Sequence, residues 1–186
     1  MADTAPDQRL LDATVSVLAE TGWQGVSLER VAERAGRSRV TLWRQGVSQE
    51  TLLAALLGAV ADDYLETMWP VLTAAGTGRD RLVRAITGLC EVIDRHLTLM
   101  LASDTVFHQD HPGAKQVAYL DPFVRFLREG RQDGSLQPRG NIDDVADVVF
   151  NTVAWTYTHL RGRHQWSRNR ARTMLLELIL HGIGQT

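Results

Sequence analysis

Apolar positions along this chain recur at three- and four-residue spacing, and no stretch of useful length alternates apolar with polar. That period is the helical one, so the pattern predicts an all-α protein. Glycine and proline clusters cut it into segments. A first helix is predicted over residues 6–20, with Leu11, Val15 and Leu18 inward and Gly22 ending it. A second follows Ser27, whose hydroxyl suits an N-cap, and shows Leu28, Val31, Ala32 and Ala35 on one narrow face. Gly36 stands where the chain must turn sharply. Ser38 suits the next cap, and Leu42 can return to the same small core. A fourth helix is predicted from about residue 48 to 75, bent at Pro70. A fifth covers 80–102, and a short one 103–109. One or two more reach Gln132, with Pro122 as a start or a kink, and two last helices cover 142–163 and 167–183.

Charge changes the picture locally. Twenty basic and twenty-two acidic residues nearly cancel, so no global attraction to nucleic acid exists and any DNA binding must be local. Residues 27–47 provide such a place. Arg34, Arg37, Arg39 and Arg44 lie on the solvent side, with no acid between Arg34 and Arg44. An arginine fork fits guanine O6/N7 or a phosphate in a bidentate way. An ordinary amphipathic helix pair with a solvated basic face would also carry these arginines. The spacing of Ala32, Gly36 and Leu42 favours a helix-turn-helix, a device that sets one helix in the DNA major groove.

Residues 10–53 resemble the N-terminal domain of tetracycline-repressor (TetR) family regulators. The matching pieces are LLDAT, AETGW, VSLERVAERAG, S-x-x-TLWR and S-x-E-x-LL; REGRQDGSLQP further on resembles a helix end and turn often seen there. The resemblance implies an N-terminal three-helix helix-turn-helix domain over 1–47 and a larger helical ligand-binding and dimerisation domain over 48–186, about nine helices in all. It implies that Ser27 touches a phosphate, that Arg39, Val40 and Thr41 face the bases, and that Arg44 and Gln45 follow at the groove edge. Ser48 would cap a helix whose N-terminus can hold a phosphate. Trp43 replaces the usual tyrosine, and its indole N–H can donate similarly. Arg37 and Ser38 complete the expected DNA-binding set. Three departures stand out. Gly46 replaces an aromatic that packs the third helix on the fourth, so either that joint loosens or a residue such as Trp23 fills the gap. Gln49 replaces a common lysine and removes a phosphate charge. Arg37 replaces a common small apolar residue and can restore that charge.

The two last helices carry apolar stripes wider than one neighbour needs. Read alone, they fit a core pair; the resemblance implies instead a four-helix bundle across a two-fold, built by Val149, Thr152, Val153, Thr156, Leu160, Leu175, Leu178 and Ile179. It also implies a pocket for a small, mostly apolar effector. The expected lining is Tyr64, Met68, Trp69, His96, Met100, Phe107, Tyr119, Phe123, Phe126, Phe150, Asn151 and Trp155. Arg161, Arg163, Arg168, Arg170 and Arg172, with His164, form a cluster: Arg161 and Arg163 suit a helix C-terminus, and the other three, at a helix N-terminus that disfavours cations, either meet Asp143, Asp144 and Asp147 of a second subunit or are solvated.

The remaining chemistry is thin. Cys90 is the one cysteine, which excludes an internal disulfide and a cysteine-based zinc site; a buried helix residue fits it better than a redox sensor. His108, Asp110 and His111 offer metal ligands but sit beside Pro112 and Gly113, as a solvated loop would. No nucleophile elbow, phosphate-binding glycine loop or metalloprotease helix occurs, and neither a cofactor nor a metal is expected. No signal or membrane-spanning segment is read, so a cytoplasmic protein is the expectation. The expected function is a dimeric, ligand-responsive repressor that binds a palindromic double-stranded DNA operator. Its two reading helices would stand roughly 34–36 Å apart. The rivals are a helical adaptor that has lost DNA binding and an all-helical enzyme or carrier.

Overall fold

The computed structural model describes residues 6–102, 115 and 117–183, and every regular element among them is helical. The helices are α1 (Gln8–Thr21), α2 (Leu28–Ala35), α3 (Arg39–Arg44), α4 (Gln49–Thr73), α5 (Gly78–Arg95), α6 (Leu97–Ala102) and α7 (Asp121–Asp133). Next comes α8, which starts as Ile142–Asn151, passes through a π-helical stretch, Thr152–Thr156, and ends as Tyr157–Gly162. The last is α9 (Arg168–Ile183), and a 3₁₀ turn, Trp23–Gly25, follows α1. The short helix expected over 103–109 lies outside the described residues, as do Phe107, His108, Asp110 and His111.

The chain divides into two compact units. One holds the described residues of Met1–Ala61 and Thr98–Gln116, the other those of Asp62–Leu97 and Val117–Thr186.

In the first unit α1 packs on α2, and α2 on α3. Asp7 caps α1 by accepting the Leu10 N–H. The inward face of α1 is Leu10, Ala13, Thr14, Val17 and Leu18. Leu11 and Val15, expected inward, are half-buried, because the helix turns Leu10, Ala13 and Val17 toward its neighbours. The buried Thr14 hydroxyl is satisfied by the Leu10 carbonyl one turn back, at 2.8 Å.

In the second unit α5 is the central helix, touching α7, the π-helical and final parts of α8, and α9. Its start lies at Gly78, earlier than expected, because Thr77 and Asp80 form a reciprocal capping box. Gly78 meets Gly130 of α7 so closely that a methyl group on Gly78 would stand 2.1 Å from the Gly130 nitrogen. Asp133 accepts the Gly78 N–H at 2.7 Å, and Ser135 the Arg79 N–H. The Ser135 and Gly78 donors hold the Asp133 carboxyl below its usual range.

The helix predicted over 80–102 is broken at His96, whose φ of −110° and ψ of 21° leave the helical region. Asp63 of α4 holds the break: its Oδ2 accepts from Arg95 Nε at 2.7 Å and lies 3.0 Å from His96 Nε2. A second anchor is Asp94, whose side chain is 7% exposed. It accepts from the Tyr157 hydroxyl and from Arg161 Nε, both at 2.7 Å, and pairs with Arg168 Nε at 3.3 Å. Arg161, near the end of α8, thus turns to an acid of its own subunit, while Arg168 meets the same acid with its side chain 70% exposed, in keeping with a solvated position. Arg170 stacks on Trp166 at 3.7 Å, and Arg172 donates to Asn169.

Candidate nucleic-acid interface

Three local devices build the helix-turn-helix. Ser27 caps α2, its hydroxyl accepting the Arg30 N–H. Gly36 closes α2 at φ 66°, with its own N–H on the Glu33 carbonyl and the Arg37 N–H on Ala32. That is a Schellman ending, which needs the left-handed conformation glycine adopts without strain. Gly46 closes α3 in the same way at φ 78°, with Gly46 N–H on Trp43 and Val47 N–H on Leu42. A helix ending thus accounts for glycine at this position, where a loosened joint or a compensating Trp23 was expected.

Leu42 is fully buried and fixes the rotation of α3. Every other side chain of the helix is then exposed: Arg39, Val40, Thr41, Trp43 and Arg44, followed by Gln45. Trp43 is 72% exposed and Val40 55%, large apolar surfaces with no role in the fold. Ser38 occupies the N-cap position of α3 but makes no capping bond, contrary to expectation. Ser48 does cap α4, accepting the Thr51 N–H at 3.2 Å.

The four arginines divide. Arg34 donates to Glu20 at 2.8 Å and also to Ser16. Arg37 donates to Asp7. Among the described residues, Arg39 and Arg44 have no such acid partner. The Arg37–Asp7 and Arg34–Glu20 pairs were missed because they join residues thirty and fourteen positions apart.

The expected effector residues are scattered. Tyr64, Met68, Phe123 and Phe126 are buried in the second unit. Tyr64 donates its hydroxyl to the Tyr119 carbonyl at 2.6 Å, and burial pushes its pKa up. The rings of Tyr64, Tyr119, Phe150 and Phe123 follow one another at centroid distances of 4.9, 6.2 and 5.5 Å. His96 is held by Asp63 at the α5 break. Met100 is buried in α6 and belongs to the first unit. Trp69 and Asn151 face outward, and Asn151 bridges Asp147 to the Trp155 indole along α8. The aromatic chain is thus brought together, while Trp69 and Asn151 stand apart from it. Of the expected interface residues, Val149, Val153, Leu175 and Ile179 are buried within the subunit. Thr152 and Leu160 are half-buried, and Thr156 and Leu178 exposed. Val148 and Met174 join Leu178 as exposed apolar side chains on α8 and α9.

Cys90 is buried. Burial, and secondarily the Asp94 carboxylate, pushes its thiol up to about 12. The folded protein should therefore leave an aromatic disulfide reagent unconsumed near neutral pH, and react stoichiometrically only in denaturant. Rapid reaction of the native protein would reinstate a redox role.

The fold and the exposed recognition helix define a helix-turn-helix DNA-binding regulator. Residues 10–56 match the family described as bacterial regulatory proteins, tetR family. It is similar along 94% of its length to the fatty acid metabolism regulator protein of Bacillus subtilis, with 21% identity over 94% of that protein. It is 26% identical to the HTH-type transcriptional repressor KstR of Mycolicibacterium smegmatis, over 80% of this chain and 75% of that one. Its fold matches the crystal structure of FadR from Bacillus subtilis in complex with stearoyl-CoA at a TM-score of 0.75, with 20% identity over 94% of this chain and 98% of that one. Among the described residues no helix is long and apolar enough to cross a membrane.

Proposed function

We propose that this chain is a homodimeric repressor of a palindromic operator, released by a small molecule with a large apolar part. Residues 1–47 read the DNA, and 48–186 bind the effector and form the dimer. The observation that carries the reading is the solvent face of α3: a buried Leu42 aims Arg39, Val40, Thr41 and Trp43 away from the protein. Arg39 and Thr41 take base edges, and Val40 offers an apolar contact to a thymine methyl. Trp43, Arg44, Ser27, Arg37, Ser38 and Ser48 take phosphates, and Gln45 the groove edge.

A palindromic site needs two copies. Val148, Met174 and Leu178 expose apolar surface on neighbouring helices, which supports their use, with Thr152, Thr156 and Leu160, as the meeting face. The stearoyl-CoA in the similar FadR structure and the fatty acid metabolism regulator among the relatives support an effector with a long apolar body. The Tyr64–Tyr119–Phe150–Phe123 chain supplies a matching lining. Release requires only that the effector prefer the arrangement in which the two reading helices no longer match the groove spacing.

The test is selection of duplexes from a random-core library, followed by affinity measurement with Arg39→Ala. The variant should lose about 1–3 kcal/mol on the selected site, the range for one base-reading contact, and much less on unrelated DNA. Equal losses on both would reassign Arg39 to phosphate. Selection of no duplex by the wild type would favour a helical adaptor without DNA binding.

A further inference from the structure

The ion pair between α1 and the turn bears on how tightly DNA is held, and it rests on the DNA-binding reading above. An open groove of about 410 Å³ runs between the start of α1 and the recognition helix. Asp7, Arg37, Ser38, Thr41 and Gln45 line its polar side. Two of these groups suit a phosphate: the Arg37 guanidinium, and the Ser38 hydroxyl that makes no capping bond. The groove is also occupied by an acid. Asp7 is fixed at the head of α1 by the Leu10 N–H on its Oδ1 at 3.0 Å, and its Oδ2 takes the Arg37 donor. Arg37 in turn holds the Asp7 carboxyl below its usual range, so the acid is charged at any physiological pH. A carboxylate pair of oxygens and a phosphate pair of oxygens make the same demand on a guanidinium fork.

We propose that Asp7 is an internal competitor for DNA phosphate: it occupies Arg37 in the free protein, and a backbone phosphate entering the groove must displace it. Asp7 thereby sets the absolute affinity for DNA without touching sequence preference, since a phosphate contact carries no sequence information.

Asp7→Asn tests this cleanly. Asparagine caps a helix about as well as aspartate, so the fold is kept while the competing charge is removed. The probes are a duplex the wild type selects from a random-core library and an unrelated duplex of the same length. Asp7→Asn should bind both about two- to fivefold more tightly at low salt, the factor that a partly exposed ion pair would withhold. Its affinity should also fall more steeply with salt, by up to about one counterion released. In an Arg37→Gln background the same substitution should change little. Unchanged or weaker binding by Asp7→Asn, with an unchanged thermal melt, would overturn the proposal. So would a gain that persists without Arg37, because that is plain repulsion of DNA by Asp7. If the wild type retains no duplex at all, the DNA-binding reading falls and this one with it.

Discussion

Gly78→Ala should lower the stability of the protein by about 3 kcal/mol, the upper end for overpacking. For a chain of this size the melting temperature should fall by roughly 6–12 °C. The methyl group would stand 2.1 Å from the Gly130 nitrogen, 2.4 Å from its Cα and 2.7 Å from the Phe126 carbonyl oxygen. All three are backbone atoms, so no rotamer change relieves the contact. Gly130 cannot retreat easily: Leu136 fills the space where its own Cβ would be, at 2.6 Å, and donates its N–H to the Gly130 carbonyl. Separating α5 from α7 would also stretch the Asp133 contact to the Gly78 N–H. Gly58→Ala, in the interior of α4, is the control. Nothing lies within 4 Å of the added methyl, so it should stabilise by up to about 1 kcal/mol through helix propensity. Thermal melts of both variants decide the matter. A Gly78→Ala protein that melts with the wild type would show that the two helices can part freely.

Asp94→Ala should cost about 3–5 kcal/mol, the range for removing one partner of a buried ion pair. The carboxylate is the common acceptor for Tyr157 and Arg161, with Arg168 adding a weaker, solvent-screened contact. The Arg161 side chain is only 17% exposed, so its guanidinium would lose its acid without gaining full hydration. A guanidinium stays protonated whatever its neighbours, so the charge cannot be shed by deprotonation. Tyr157→Phe removes one donor and leaves the ion pair, and should cost only about 1–2 kcal/mol. Chemical denaturation of both variants, read against the wild type, checks the order. A Tyr157→Phe loss as large as that of Asp94→Ala would mean that the hydroxyl, rather than the charge, holds α8 to α5.

The helix-turn-helix was legible because its determinants are local. Ser27 caps within three residues, Gly36 turns the chain where it stands, and Leu42 falls in phase with α2. The same period placed most helix boundaries within a few residues. What the sequence could not show depends on distant partners. Nothing beside His96 announces a helix break, since the reason is Asp63 on another helix. Asp94 reads as one more surface acid until Tyr157 and Arg161 close on it. The Gly78–Gly130 contact is a property of two helices together, and neither glycine stands in a turn that would explain it. Period alone also could not divide an apolar stripe between the subunit core and an outer face. Val149 and Val153 went inward, while Val148 and Leu178 stayed out. Gly46 was read as a missing aromatic because a helix that ends there by a left-handed residue leaves no pattern beyond the glycine itself.

The recognition helix is only six residues long. A free peptide of that length would not stay helical in water, because nucleation outweighs so few propagating bonds. Here Leu42 anchors it against the core, and a glycine ending closes the helix on each side of the turn. The reading segment therefore meets DNA already ordered. Its conformational entropy is lost when the protein folds and not when the operator is bound, so the heat-capacity change of binding reflects the surface covered without an added coupled-folding contribution from α3.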